Sequence, residues 1–218
     1  GNFNNHKKQK VIISMTINHE KKLIFIHIPK NAGTSIIKSM GIENLYIDKT
    51  FGQYKEHYKK YWNEYTKFSV VRDPIDRFIS AYKFARMEES NWFSGTGEYN
   101  LEKHPHYELC NKLNINEYVE YVYENRKDFY ECNQWIIPQT FHVTNDRHEI
   151  EIDFFVRYEN LQKDLKRIGI ENIEKLNSSH IQDNKLIKLT RKSKNILYEI
   201  YDIDYQNFNY TKKIFSYV

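Results

Sequence analysis

Two short stretches of this sequence gather residue types that bind anions. In the first, Pro29-Lys30-Asn31-Ala32-Gly33-Thr34-Ser35, a lysine, a glycine and two hydroxyl residues separate an apolar run from an amphipathic one. A strand-to-helix turn aims several backbone N–H groups at one point, where a phosphate or sulfate oxygen can settle. Gly33 permits close backbone approach, Asn31 and Ala32 add N–H groups, and Thr34 and Ser35 add hydroxyls. Lys30 supplies a mobile positive charge. A plain turn and capped helix would account for Pro29, Gly33 and Thr34, but not for a lysine beside two hydroxyls.

The second stretch is Val70-Val71-Arg72-Asp73-Pro74-Ile75-Asp76-Arg77-Phe78-Ile79-Ser80-Ala81-Tyr82. Arg72 closes an apolar strand, at the end where open α/β sheets bind ligands. Ser80 follows about two turns into the next helix, and an Arg–Ser pair there suits a second phosphate. Composition alone would leave Arg77 and Ser80 on the surface. The nucleotide loop G-x-x-x-x-G-K-S/T is not satisfied, because Lys30 precedes Gly33. That weakens a kinase or NTPase reading. Asp73 resembles a magnesium-binding aspartate in its place after a strand, yet Asp73-Pro74 is equally a helix start.

The elements that must carry these residues follow from pattern. Residues 22–28 (KLIFIHI) and 67–72 (KFSVVR) read as buried strands. Thr34 or Gly33 caps a short helix after the first, and Asp73 caps one running to about Met87. Tyr54, Tyr58, Tyr61, Trp62 and Tyr65 recur at helical spacing and read as packing rather than a sugar platform. Residues 88–105 read as a long loop, of the kind that often binds ligands. Residues 115–123 read as a helix, 149–157 as a strand, 159–168 and 192–201 as helices. Strands alternating with helices imply an α/β fold with a parallel sheet covered on both faces.

The chain has 218 residues with 40% hydrophobic content, enough for one large domain with one substantial core. Residues 1–21 read as a loose polar arm and 22–218 as a single domain; Gly1 reads as a cloning remnant and Met15 as a candidate start. The net charge of +4 is too small to argue for nucleic acid. Cys110 and Cys132 cannot build a disulfide framework or a four-thiolate zinc site, and are expected to be reduced. No run reaches membrane-span length and no leader is visible, so a cytoplasmic location is expected. His104-x-His106 is the nearest approach to metal-ligand spacing and lacks partners, so no metal is expected; both histidines are candidates to meet substrate from the long loop. Lys185, Lys188, Arg191, Lys192 and Lys194 form either a solvated face or a loop over an anionic ligand.

At the two anion-binding stretches the chain resembles the sulfotransferase superfamily, in particular its carbohydrate-sulfating branch. IHIPKNAGTS is similar to that family's 5′-phosphosulfate loop, and VVRDPIDRFISAY to its 3′-phosphate motif, R-D/N-P-x-x-R-x-x-S-x-Y. Pro138-Gln139, residues 152–161, Leu176-Asn177-x-Ser179 and a tyrosine-rich tail add to the likeness, which spans roughly residues 22–210. The resemblance implies a P-loop-like three-layer α/β fold, with 3′-phosphoadenosine 5′-phosphosulfate as sulfonate donor and 3′,5′-adenosine bisphosphate as product. It implies an acceptor hydroxyl on a carbohydrate. Lys30 and the N–H groups of Asn31, Ala32, Gly33, Thr34 and Ser35 would then stabilise charge on the departing phosphate. Arg72 and Ser80 would hold the 3′-phosphate. His57 lies between the motifs, where related carbohydrate sulfotransferases often carry an active-site histidine, and is the candidate base; Glu56 and Glu64 are substitutes. A P-loop kinase or NTPase, and a non-catalytic nucleotide- or glycan-binding module, remain the alternatives.

Overall fold

The computed structural model describes residues 16–42, 50–88, 90–93, 99–127, 135–171, 173 and 187–213. Among these residues the strands are β1 (Ile17–Asn18), β2 (Leu23–Phe25), β3 (Thr66–Val71), β4 (Ser90–Phe93), β5 (Tyr99–Glu102) and β6 (Phe154–Arg157). One sheet runs in the order β1-β2-β3-β6; β2, β3 and β6 are parallel, and β1 lies antiparallel along the edge. The helices are α1 (Gly33–Ser39), α2 (Phe51–His57), α3 (Pro74–Ala85), α4 (Tyr107–Lys112), α5 (Ile115–Glu124), α6 (Leu161–Arg167), α7 (Arg191–Ile200) and α8 (Asp202–Asn207).

Side chains of a strand alternate between faces, and here both faces are covered. Leu23, Phe25, Phe68 and Val70 pack with Ile36 and Ile37 of α1 and Leu165 of α6. Ile24, Ile26 and Val71 point the other way, onto Phe51 and Tyr54 of α2 and the Tyr58 and Trp62 that follow it. That double cover explains why β2 reads as an unbroken apolar run. The tyrosine series is core: Tyr54, Tyr58, Trp62 and Tyr65 are all buried. A further cluster joins Phe78 and Tyr82 of α3 to Tyr118 and Val119 of α5 and Leu197 of α7.

Several boundaries differ from the sequence reading. The helical pattern over the tyrosines ends at His57, with turns carrying the chain to β3. Residues 17–18, within the stretch read as an arm, form β1. The long loop contains an antiparallel hairpin, β4–β5. Only Phe154–Arg157 of the 149–157 stretch forms a strand, because it alone pairs with β3. Cys110 is a free, buried thiol, and burial pushes its pKa up to about 12. Cys132, Lys185 and the Leu176–Ser179 motif lie outside the described residues.

Candidate active site

The segment between β2 and α1 crosses the sheet's C-terminal edge in a conformation unusual for its residues. Lys30 has φ 71° and Ala32 φ 63°, both left-handed and neither a glycine. Such positions cost about 1–2 kcal/mol each, and persist where surrounding contacts fix them. Ala32 occupies the N-cap of α1 with no side-chain cap, so neither Thr34 nor Gly33 plays the capping role expected of it. Thr34 is exposed, and Ser35 and Gly33 are buried.

Two side chains of α3, Arg77 and Phe84, touch this segment. Arg77, Ser80 and Phe84 stand at i, i+3 and i+7 and so share a helix face. Arg77 is 1% exposed, and its Nε donates to Pro29 O at 2.9 Å while Nη1 donates to Ile137 O at 2.7 Å. It is therefore a buried strut, not the surface residue that composition indicated. Phe84 meets the other end: Lys30 Nζ lies 3.8 Å from its ring centroid and 5.6 Å from that of Trp135. Ser80, half-buried, sits on the same face between these two contacts.

Arg72 joins the 29–35 segment to the start of α3 directly. Its Nη1 donates to Lys30 O at 3.3 Å, and its guanidinium stacks 4.1 Å over the Tyr158 ring. Its Nε is buried and has no hydrogen-bond partner among the described residues. An orphaned charged donor is costly unless something anionic meets it. The donor set of Arg72, Lys30 and the 29–35 backbone suits a doubly phosphorylated ligand. Asp73 is committed otherwise: its Oδ1 accepts from Ile75 N–H (2.9 Å) and Asp76 N–H (3.1 Å) as the N-cap of α3. Among the described residues, no group of three His, Cys, Asp or Glu side chains is placed to hold a metal ion.

The histidines separate clearly. His104 is 4% exposed, tilted on Trp135 at 4.9 Å, and Nδ1 accepts the His106 N–H at 2.9 Å. Burial, then His106 and the charge of Lys30, push its pKa down to about 3. It is neutral, with its proton on Nε2 and its Nδ1 lone pair in use, so it is not poised as a base. His57 is exposed at the last residue of α2, its ring edge-on to Tyr58 at 4.7 Å. One turn earlier, Tyr54 OH accepts the His27 N–H at 3.4 Å, which seats α2 beside the end of β2 just ahead of Lys30.

His104 also makes a pH dependence. It titrates near 6.5 in the unfolded chain and at about 3 in the folded one. The unfolded state therefore binds more protons between these values, and stability falls as pH drops from about 6.5 toward 3, by up to about 1.4 kcal/mol per pH unit. His104→Phe, which keeps a ring on Trp135, is expected to lose Tm more gradually between about pH 6.5 and 4.5. Equal slopes for variant and wild type would show that His104 accepts a proton without unfolding.

A sequence model described as the sulfotransferase family matches residues 14–211. The chain belongs to the sulfotransferase family. Human "Carbohydrate sulfotransferase 9" is similar to it, with 22% identity over 236 residues, covering 89% of this chain and 52% of that protein. The chain thus spans about half the length of this curated relative. No solved structure matches it significantly. Membership is consistent with the α/β fold, a mostly parallel sheet flanked by helices.

Sequence reasoning missed Phe84 and Trp135, and took Pro138-Gln139 only as part of the family likeness, with no role for Gln139. Phe84 was legible as the next residue on the Ser80 face of α3; Trp135 and Gln139 come from a distant segment that no local pattern connects to Lys30. A cavity of about 430 Å³ lies against α3, lined by Asp76, Ile79, Lys188, Lys194 and Tyr198. Asp73 also lines it, but neither Lys30 nor Arg72 does. Lys188 and Lys194 of the basic run face it, whereas Lys192 pairs with Glu120 at 2.8 Å. Among the described residues, no helix is long and apolar enough to cross a membrane.

Proposed function

We propose that this protein transfers a sulfonate group from 3′-phosphoadenosine 5′-phosphosulfate to a hydroxyl group of a carbohydrate. The observation that carries this reading is the junction of the two motifs: Arg72 touches the Lys30 carbonyl while keeping a buried Nε that has no partner among the described residues. Two cationic groups held at the end of a parallel sheet suit a ligand with phosphates on the 3′ and 5′ positions of one ribose. The carbohydrate acceptor follows from the likeness to a protein named a carbohydrate sulfotransferase.

The donor supplies an activated sulfonate, whose transfer leaves negative charge on the 5′-phosphate. Lys30 and the N–H groups of residues 31–35 stabilise that charge, the electrostatic contribution that is usually the largest. Arg72 and Ser80 hold the 3′-phosphate and so spend remote binding energy on alignment. His57, exposed at the last residue of α2, accepts the proton of the acceptor hydroxyl. The rings of Phe84 and Trp135 beside Lys30 Nζ replace part of its water with apolar surface, which strengthens its attraction for an anion.

Thermal denaturation tests the reading. Stabilisation by 3′,5′-adenosine bisphosphate without magnesium is expected, and selective stabilisation by ATP with magnesium would replace it with the kinase or NTPase alternative. Transfer of labelled sulfonate to a glycan panel distinguishes an enzyme from a binding module. Arg72→Ala is expected to reduce the preference for 3′,5′-adenosine bisphosphate over 5′-AMP by about 10–100-fold, the loss of a charge-assisted contact. An unchanged preference moves the 3′-phosphate site elsewhere.

A further inference from the structure

Gln139 opens a short 3₁₀ turn, Gln139–His142, and is completely buried. Its side-chain Oε1 accepts from Asn31 Nδ2 at 2.7 Å and from Arg72 N–H at 3.0 Å; its Nε2 donates to Arg72 O at 2.8 Å. The amide thus pairs with both backbone groups of Arg72, as a neighbouring strand would, while holding the side chain of the residue after Lys30. Its orientation is not free. Arg72 N–H can only donate, so Oε1 must face it, and Asn31 must then present Nδ2 to Oε1. Asn31 Nδ2 also donates to Val70 O at 2.7 Å, which leaves Asn31 Oδ1 buried without a partner among the described residues. A network that keeps such a cost is held for more than packing.

The amide is itself anchored from behind. Asp204 of α8, buried, accepts from Gln139 N–H (2.8 Å), Thr140 N–H (2.8 Å) and Thr140 Oγ1 (2.8 Å). Arg77 braces the neighbouring backbone through Pro29 O and Ile137 O. The 29–35 loop and Arg72 are therefore tied together by the Gln139 side chain, and to α8 by the backbone of Gln139 and Thr140.

We propose that Gln139 is a positioning residue that fixes the distance between the two phosphate-binding segments, so that a ligand's two phosphates are held together rather than separately. This deepens the donor-site reading and rests on it. Two phosphates on one nucleoside have a limited span, and a loop that drifts from Arg72 forfeits the gain from the second contact.

The test measures Kd for 3′,5′-adenosine bisphosphate and for 5′-AMP, by titration of the intact protein, in wild type, Gln139→Ala, Arg72→Ala and the double variant. Gln139→Ala is expected to lower the preference for the bisphosphate by about 10–100-fold, as expected for freed buried partners. Because Gln139 acts through Arg72, the double variant should lose no more preference than Arg72→Ala alone. A preference kept within about threefold, or losses that add in full, would overturn the proposal. Should Gln139→Ala fail to fold, Gln139→Glu keeps the acceptor oxygen but sets a second oxygen against Arg72 O. Its preference should be poor at neutral pH and recover as pH falls and the carboxyl gains a proton to donate; a ratio that tracks wild type at every pH overturns the idea. If wild type itself shows no preference for the bisphosphate, the donor reading fails and the coupling fails with it.

Discussion

Lys30→Ala is expected to lower kcat by about 10²–10³-fold, the scale seen when one preorganised charge-stabilising donor is removed. Affinity for the unreacted donor should change only a few-fold, because the bridging phosphate oxygen carries little charge before its bond to sulfur breaks. Affinity for 3′,5′-adenosine bisphosphate should fall further than donor affinity, since its 5′-phosphate carries the charge that the lysine meets late in the reaction. The backbone confounds none of this. The left-handed φ of 71° at position 30 is as strained for alanine as for lysine, so the loop is held by its neighbours in both. Single-turnover rates at saturating donor give the comparison. A kcat within a few-fold of wild type would show that Lys30 is an aromatic-packed surface lysine whose contact with Phe84 is structural.

What the sequence made legible is what depends on neighbours in the chain. Asp73-Pro74 specified the start of α3, and its end at Ala85 lies two residues from the expected Met87. The alternation of Leu23 and Phe25 with Ile24 and Ile26 specified a strand buried on both faces. The same reasoning misplaced Arg77, since a charged residue in a helix is exposed by default. What buries it is a pair of carbonyls, Pro29 O and Ile137 O, 48 and 60 residues away. Gln139 is the same case at 67 residues from Arg72. Residues 88–105 hid a hairpin because the pairing of Ser90 with Glu102 and Phe93 with Tyr99 belongs to the backbone, and the mixed polar side chains show no alternation. Local signals thus defined the elements, and the contacts that fix the site's geometry lie between segments far apart in the chain.

His57→Ala is expected to reduce turnover by about 10²–10⁴-fold, the range of general base catalysis, and to leave binding of 3′,5′-adenosine bisphosphate nearly intact. A base must be neutral to take the hydroxyl proton, so wild-type kcat/KM should rise with pH over the interval in which histidines titrate, between about pH 5 and 8. The variant should lose that rising limb. Other histidines are less suited. His104 is neutral throughout this interval, but its Nδ1 already accepts the His106 N–H; His27 and His142 are buried. His57 is exposed, on the helix that Tyr54 seats against the end of β2, so an acceptor as bulky as a sugar can reach it. The test separates binding from chemistry because His57 stands apart from the Arg72–Gln139 network. If the variant keeps both the limb and the rate, the base is a group other than His57, and the role passes to Glu56 or Glu64 of the same segment or to the loop histidine His106. The contacts of Lys30, Arg72 and Gln139 given above would stand unchanged by that outcome, since they run to Phe84, Trp135, Tyr158, Asn31 and Asp204.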